Sequence, residues 1–257
     1  MAQSVDRALE LVRRASEEPI SLTDASEILG VHKSTAWRIL QSLESARFVR
    51  KTSDGSYVLG GGVVELAQRA LGALDLRQFA ARPLREVQRA TGCTVHLAQL
   101  LGDEIIYIDK IDSASIDSIQ LASRIGRPVS PYASGVGKVI LAYLPEAERD
   151  RLLATVELVQ HTPTTLASRP ALDAEFEKIR ARGWGVDDGE LHDFVNCIAV
   201  PIRNSEGDVF AALSLTSMKA LTPLDKLVDH LPLLQATADS LSREMGYGGL
   251  SSTAIST

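Results

Sequence analysis

The sequence predicts a mixed α/β (α+β) chain with two parts and a linker helix between them. Three short amphipathic segments followed by two β-prone runs indicate a small N-terminal head. From Asp75 onward, helical and strand patterns mix, which indicates a larger domain with an antiparallel sheet and flanking helices. The expected boundaries are 1–60 for the head, 61–74 for the linker helix, 75–247 for the larger domain and 248–257 for a disordered tail.

The first two helices of the head are predicted from spacing and capping signals. Apolar residues recur at helical spacing over 3–16, and Pro19 prevents that helix from continuing. Ser21 begins a second helix, Leu22–Leu29, with Asp24 as the short-armed partner of a capping box, and Gly30 ends it. The stripe expected to pack in the first helix comprises Val5, Ala8, Leu9 and Val12.

The third helix and a hairpin complete the head. Residues 33–46 carry apolar residues at positions i, i+3, i+4 and i+7, starting from Ala36. The period then changes at Val49–Lys51 and Tyr57–Leu59, which flank a turn containing Asp54 and Gly55. Helices followed by a hairpin in this order are typical of a winged helix-turn-helix, in which the last helix reads the major groove of DNA.

The outward face of the third helix carries side chains suited to DNA. Between Val31 and Lys51 there are five basic residues and one acidic residue, so this stretch has a local charge of 5 − 1 = +4 in a chain of net charge −6. Because the whole chain is acidic, attraction to phosphate must come from such a local patch. The residues expected to contact phosphates and base edges are Lys33, Ser34, Thr35, Trp37, Arg38, Gln41, Arg50 and Lys51.

After the hairpin, residues 60–62 (GGG) are expected to break the chain before an apolar linker helix over 63–74. A helix this rich in Val, Leu and Ala is expected to pack against a partner chain. A further helix over 75–91 contains Pro83, which predicts a kink or a restart. The remaining predictions are strands at 94–101, 104–111, 119–121, 198–203 and 209–216, and helices at 135–143, 146–153, 171–182 and 223–244.

Composition favours a reduced cytoplasmic protein. The two cysteines, Cys93 and Cys197, lack metal-ligand spacing. The N-terminus shows no secretion signal, and no apolar run is long enough to cross a bilayer, so no membrane partner is expected. No cofactor or metal is expected either.

The last two predicted strands suggest a ligand site. Side chains alternate along a strand, so Ser214 and Thr216 share one face while Cys197 shares a face with Ala199. A strand face with such small, mildly polar side chains suits an oxygen-rich ligand, although a strand packed under a helix would show the same pattern. The stretch 134–138 (SGVGK) opens a helix whose first amides attract a carboxylate or phosphate, but it is not a P-loop because Tyr132 stands where the first glycine is needed.

These segments and several motifs further along the chain resemble the IclR family. The head matches at 4–9 (SVDRAL), 29–35 (LGVHKST) and 57–60 (YVLG). The larger domain matches at 104–111 (EIIYIDKI), 123–127 (SRIGR), 134–138 (SGVGK), 183–187 (GWGVD), 197–201 (CIAVP) and 211–215 (AALSL). The chain departs from the family pattern at His32, a poor helix cap where a Ser-like residue is usual, and at the glycines 60–62, which replace a stiffer segment.

The resemblance implies a transcription regulator that responds to a small molecule. It implies a GAF-like effector domain, a double-stranded DNA operator, and homodimers that pair into homotetramers. It also implies effector contacts from Ser134, Gly135, Val136, Asp187, Cys197, Ser214 and Thr216. The expected effector is a small hydroxy-, keto- or sugar acid of a catabolic pathway, because Asp187 would accept a hydroxyl or a proton and residues 123–127 resemble those of members that answer to sugar acids.

Other functions stay open at the level of sequence. An enzyme acting on a small carboxylate is disfavoured, because there is no nucleophile elbow and His96, His161, His192 and His230 are scattered. Cys197 would make the protein a redox-responsive regulator if its thiol were reactive, but its apolar neighbours argue for burial. A binding module without DNA contact is a third possibility. The acidic residues Asp187, Asp188, Glu190 and Asp193 are interpreted as a solvated loop rather than a metal site, with Asp187 the exception.

Overall fold

A computed structural model describes residues 2–72, 75–113 and 123–248, and the chain divides into two compact units, Met1–Leu74 and Asp75–Thr257. The predicted strand at 119–121 and the tail from 249 onward lie outside the described residues. The first unit contains α1 (Ala2–Glu17), α2 (Leu22–Leu29), α3 (Lys33–Ser45), β1 (Val49–Lys51), β2 (Tyr57–Leu59) and α4 (Gly61–Gly72). This order of helices and hairpin confirms the predicted winged helix-turn-helix.

The core of the head differs from the predicted stripe on α1. Leu11 and Ala15 are buried in it together with Leu40 of α3 and Tyr57 of β2. Ala8 and Val12 pack against this core only partly, and the other two residues of the stripe do not enter it. The prediction was wrong for Val5 and Leu9, which are 58% and 50% exposed.

Caps define where α2 and α3 begin. The Ser21 hydroxyl accepts the Asp24 amide while the Asp24 carboxylate accepts the Ser21 amide, which confirms the capping box. His32 does cap α3, because its Nδ1 accepts the Ser34 amide at 3.3 Å. The helix therefore starts at Lys33, as it would if a serine occupied the N-cap position.

The three glycines do not break the chain, contrary to the prediction, because α4 already begins at Gly61. The amide of Gly60 donates to the Phe48 carbonyl at 2.8 Å, and that of Gly62 donates to the Arg47 carbonyl at 2.9 Å. A Cβ atom at Gly60 or Gly62 would collide with that carbonyl oxygen of Arg47. These two glycines therefore permit a close approach of backbone to backbone.

The second unit is an antiparallel sheet with helices against it. Its elements are α5 (Asp75–Thr91), β3 (Thr94–Leu101), β4 (Glu104–Ile111), α6 (Gly135–Tyr143), α7 (Glu146–Ala154), α8 (Arg169–Arg182), β5 (Gly185–Asp188), β6 (Val195–Arg203), β7 (Val209–Met218), α9 (Leu224–Val228) and α10 (Leu231–Glu244). Among the described residues the sheet order is β4-β3-β7-β6-β5, and every pairing is antiparallel. These elements confirm the predicted sheet domain.

Three details of this unit differ from the prediction. Helix α5 does not restart, since it runs continuously through Pro83. The single C-terminal helix is instead two helices, because the ring of Pro232 clashes with a helical carbonyl four residues earlier, at Val228, and favours a new first turn. Strand β5 was missed, since four residues ending in two aspartates carry little strand signal.

The register of the sheet positions the candidate site. Ala199 pairs with Ser214, which pairs on its other side with His96 of β3. Cys197 pairs with Thr216, so these side chains share one face of the sheet. Helix α6 contacts β6 and β7 and packs in one core with α8, which places the start of α6 over this face.

Candidate functional site

A cavity of about 260 Å³ lies between the small-residue face of the sheet and the start of α6. The lining side chains on β3, β5, β6 and β7 are at most 7% exposed, and Tyr107 on β4 is partly buried. Arg127, Pro128 and His192 are exposed and form the mouth of the cavity. All seven residues expected to contact an effector line this one cavity: Ser134, Gly135, Val136, Asp187, Cys197, Ser214 and Thr216. Their role as effector contacts stays a prediction.

The start of α6 forms the wall opposite the sheet. The Ser134 hydroxyl caps the helix by accepting the Gly137 amide at 3.1 Å, and it donates to the Ser130 carbonyl at 2.6 Å. The Ser134 hydroxyl thus already has both its partners within the fold. The amides of Gly135 and Val136, at the first turn of the helix, have no intrahelical acceptor and can donate to a ligand. Gly135 allows the helix to approach the sheet, because a Cβ there would lie 3.0 Å from the Cys197 sulfur.

Asp187 supplies the buried negative charge of the cavity. Its Oδ1 accepts the Glu190 amide at 2.6 Å, and the residue is 5% exposed. Burial raises the pKa of Asp187 above its ordinary value, while the Glu190 amide and the Lys138 ammonium act in the opposite direction. A carboxyl in this position accepts hydrogen bonds from hydroxyl groups at little cost in reorganisation.

Behind Asp187 lies a buried ion pair that the sequence did not predict. The Nζ atom of Lys138, which is fully buried, contacts Oε1 of Glu190, whose side chain is 7% exposed. The interpretation of residues 187–193 as a solvated loop was therefore wrong for Glu190. Burial raises the pKa of the Glu190 carboxyl, and Lys138 opposes that shift. The other acidic neighbour, Asp188, pairs with Lys219 at 2.8 Å.

His96 was not expected at the site, yet it lies within the cavity wall. Its Nε2 is 2.8 Å from the Ser123 hydroxyl, and its Nδ1 is 3.3 Å from the Thr216 hydroxyl. Burial lowers the pKa of His96 to about 3, so the ring is neutral at pH 7 and offers one donor and one acceptor. The ring of Tyr107 lies 5.0 Å from that of His96 and also lines the cavity.

Sequence reasoning missed His96, Tyr107, Ser123 and Arg127 because they approach from β3, from β4 and from a loop. The alternation of Thr94–Leu101 would have placed His96 on one face of its strand. Only the pairing of β3 with β7 shows that this face is the cavity face.

Cys197 is a poor candidate for redox sensing. It is 6% exposed, and burial raises the pKa of its thiol to about 12. Since the thiolate is the reactive form, this environment disfavours the redox-responsive alternative. Within residues 2–72, 75–113 and 123–248, no group of three or more His, Cys, Asp or Glu side chains could hold a metal ion.

The predicted DNA-contacting side chains are all exposed on α3 and β1. Several have partners within the head: Lys33 Nζ donates to the Thr23 hydroxyl at 3.0 Å, and Gln41 donates to Glu44 at 3.0 Å. Trp37 is 50% exposed beside Arg38. The guanidinium groups of Arg38 and Arg50 have no hydrogen bond or ion pair with any residue that the structure describes.

Other predicted DNA contacts sit close to their neighbours in the head. The Ser34 hydroxyl is 3.0 Å from His32 Nδ1, Lys51 Nζ lies 5.7 Å above the Tyr57 ring, and Thr35 belongs to the exposed first turn of α3. Arg47, which contributed to the local charge of +4, faces Glu65 at 3.6 Å.

A winged helix-turn-helix with an exposed basic recognition helix, followed by a sheet domain whose cavity contains several polar side chains, is typical of a DNA-binding regulator with a ligand-binding domain. The chain matches the family models described as "IclR helix-turn-helix domain" over residues 4–53 and "Bacterial transcriptional regulator IclR C-terminal" over residues 68–243. The chain therefore belongs to the IclR family of transcriptional regulators, and the resemblance seen in the sequence is confirmed.

Individual relatives agree with this membership. The chain is 38% identical over 248 residues to the HTH-type transcriptional regulator XynR of Escherichia coli, covering 95% of this chain and 98% of the relative. It is 34% identical over 232 residues to KdgR of the same organism, covering 90% and 88%. The crystal structure of Thermotoga maritima IclR superposes with a TM-score of 0.83 at 31% identity, covering 96% of this chain and 100% of that one. These relatives are regulators rather than enzymes, as expected of this chain.

None of the helices described here is long and apolar enough to span a membrane.

Proposed function

We propose that the protein is a ligand-responsive, sequence-specific regulator that binds a double-stranded operator and senses a small organic acid from a catabolic pathway. The observation that supports this most strongly is the convergence of seven residues, from 134 to 216, on one cavity in the unit that does not contain the recognition helix. Its volume of about 260 Å³ lies just below the range of roughly 300–1,000 Å³ typical of sites for drug-sized ligands, which favours a small metabolite.

The proposed effector is a hydroxy-, keto- or sugar acid. The first amides of α6 attract negative charge, while Asp187 and the hydroxyls of Ser214 and Thr216 suit hydroxyl groups. Ligand contacts at these residues would bias the effector domain and thereby alter operator binding, provided that the two states of the domain differ in ligand affinity.

We further propose that the regulator acts as a homodimer that pairs into a homotetramer. Val64 and Leu66 on α4 are 60% and 53% exposed, and Val5 and Leu9 on α1 are similarly exposed. Large apolar side chains that stay exposed on two helices of one small unit are candidates for burial in a protein–protein interface. A dimer of heads reads a pseudo-palindromic operator whose half-sites lie about one helical turn, or a multiple of it, apart.

Binding to DNA is tested with the full chain. Operator duplexes selected from a random pool by the wild-type protein are titrated with Arg38→Ala and Arg50→Ala. If Arg38 reads a base, its removal weakens specific binding by roughly 1–3 kcal/mol and leaves scrambled DNA little affected. Loss of Arg50 weakens binding to all duplexes about equally and reduces the salt slope.

Arg85→Ala is the matched control. It removes the same charge from an exposed site on α5, in the other unit, and it should bind DNA like the wild type. If Arg38→Ala and Arg50→Ala both bind as this control does, the assignment of α3 and β1 to DNA is wrong.

A further inference from the structure

We propose that Arg127, at the mouth of the cavity, binds the carboxylate of the effector and thereby orients a polyhydroxylated monocarboxylate with its hydroxyl groups toward the sheet. This inference rests on the proposed function of the cavity as an effector site and adds the residue that selects the acid. In this arrangement the carboxylate of the ligand lies at the mouth of the cavity and not at the start of α6, and the hydroxyl groups lie at the buried end.

The charges of the cavity are asymmetric. Its buried end contains the Asp187 carboxylate, and the nearest cation there, Lys138, already contacts Glu190. A ligand carboxylate at that end would bring a second anion into a buried, poorly screened place. Among the described lining residues, Arg127 alone carries a permanent positive charge, and it lies at the exposed end.

The backbone holds Arg127 in position at the mouth. The Tyr107 amide donates to the Arg127 carbonyl at 3.1 Å, and the Gly126 amide donates to the Tyr107 carbonyl at 2.7 Å. Pro128 forms a bridge with Ile106, so this segment runs along the edge of β4. The residue is therefore anchored to the sheet on both sides of its Cα atom.

The guanidinium of Arg127 is available for a ligand. It makes no hydrogen bond or ion pair with the residues that the structure describes. A planar guanidinium binds a carboxylate through two parallel hydrogen bonds, which fixes the orientation of the ligand as well as its charge. The other exposed basic side chain of the mouth, His192, stacks on Phe194 with ring centroids 5.7 Å apart.

The buried end complements hydroxyl groups rather than a hydrocarbon chain. The hydroxyls of Ser214 and Thr216 are neutral donors and acceptors there. The ring of His96, whose nitrogens lie next to the Ser123 and Thr216 hydroxyls, stays uncharged because its pKa is low. A hydrocarbon chain would desolvate the Ser214 and Thr216 hydroxyls without offering them a hydrogen bond, which is the strongest means by which a site rejects an analogue.

The experiment uses three ligand series on the full chain: aldonates of four to six carbons, the alditols of the same lengths, and the unsubstituted alkanoates. Binding is measured by calorimetric titration. We expect at least one aldonate to bind, and the matching alditol and alkanoate to bind at least about tenfold more weakly. Arg127→Gln should lower the affinity for that aldonate about ten- to hundredfold while leaving alditol binding unchanged. The affinity of Arg127→Lys for that aldonate should lie between those of the wild type and Arg127→Gln, since lysine keeps the charge and loses the paired hydrogen bonds.

Arg124→Gln is the matched control. Arg124 lies three residues away in the same loop, is exposed and does not line the cavity, so its variant should bind the aldonate like the wild type. The inference is overturned if Arg127→Gln keeps wild-type affinity, if alditol and aldonate bind equally, or if no aldonate binds. An alkanoate or neutral ligand that changes operator binding would overturn this inference and the proposed class of effector, and it would leave the ligand-responsive DNA-binding regulator intact. Loss of operator binding in the Arg38 variant tests the regulator independently.

Discussion

Replacing Glu190 by Gln should reveal how much the second unit depends on its buried ion pair. The variant leaves the Lys138 ammonium, which is fully buried, without its counterion. Deprotonating a lysine with an ordinary pKa of about 10.4 costs 1.36 × (10.4 − 7), or about 4.6 kcal/mol, at pH 7. This value is the upper limit for the loss of stability, because a more costly buried charge would be removed by deprotonation. Removing one partner of a buried pair typically costs roughly 3–5 kcal/mol. Because Asp187 still attracts Lys138, we expect a loss of about 3 kcal/mol in the free energy of unfolding.

The pH dependence of this loss identifies its cause. If Lys138 gives up its proton in the folded variant, the unfolded state binds more protons, and stability rises with pH. At pH 9 the same deprotonation costs only about 1.9 kcal/mol, so the loss should fall from about 3 to about 1.9 kcal/mol, a recovery of roughly 1 kcal/mol. Urea unfolding at pH 7 and pH 9 measures this, followed by Trp184 fluorescence in a Trp37→Phe background so that the signal reports the second unit.

Glu175→Gln is the control for this measurement. The Glu175 carboxylate is 11% exposed and pairs with Arg182 at 2.6 Å, but that arginine is 30% exposed and remains solvated when its partner is lost. The control should lose about 1 kcal/mol or less. The double variant Lys138→Met with Glu190→Gln should regain most of the stability, because it removes the unpaired charge. A loss in Glu190→Gln no larger than in the control, with no recovery at pH 9, would refute this reasoning.

Three further predictions concern the site and the assembly. Ser214→Ala should weaken binding of the effector by ~1–3 kcal/mol while operator binding without effector stays at the wild-type level; calorimetry and gel shifts check this, and unchanged effector affinity would exclude Ser214 from the site. Leu66→Glu should dissociate the dimer at micromolar concentration in light scattering, whereas an unchanged mass would show that α4 does not form the interface. Burial raises the pKa of the Cys197 thiol to about 12. In a Cys93→Ser background, this thiol should therefore react with an alkylating agent at pH 8 about a thousandfold more slowly in the folded than in the unfolded protein. Fast labelling of the folded protein would instead support a redox-responsive regulator.

Local signals in the sequence were sufficient to predict the head and much of the sheet domain. The capping box at Ser21 and the Asp54-Gly55 turn are decided by residues three or fewer apart, so they can be recognised without knowing the fold. The alternation in β7 likewise places Ser214 and Thr216 on one face. Where local signals failed, as in β5 or at Pro232, the element was short or its break depended on a backbone clash.

The polar face of the last hairpin followed from the sequence alone, because alternation along a strand is a property of the chain itself. The partners across that face did not follow, since they depend on which strands and helices become neighbours. Only the tertiary structure brings His96 next to Ser214 and seals Lys138 against Glu190, 52 residues away in the chain. The burial that lowers the pKa of His96 and encloses that ion pair arises from the packing of whole elements, and no local pattern encodes it.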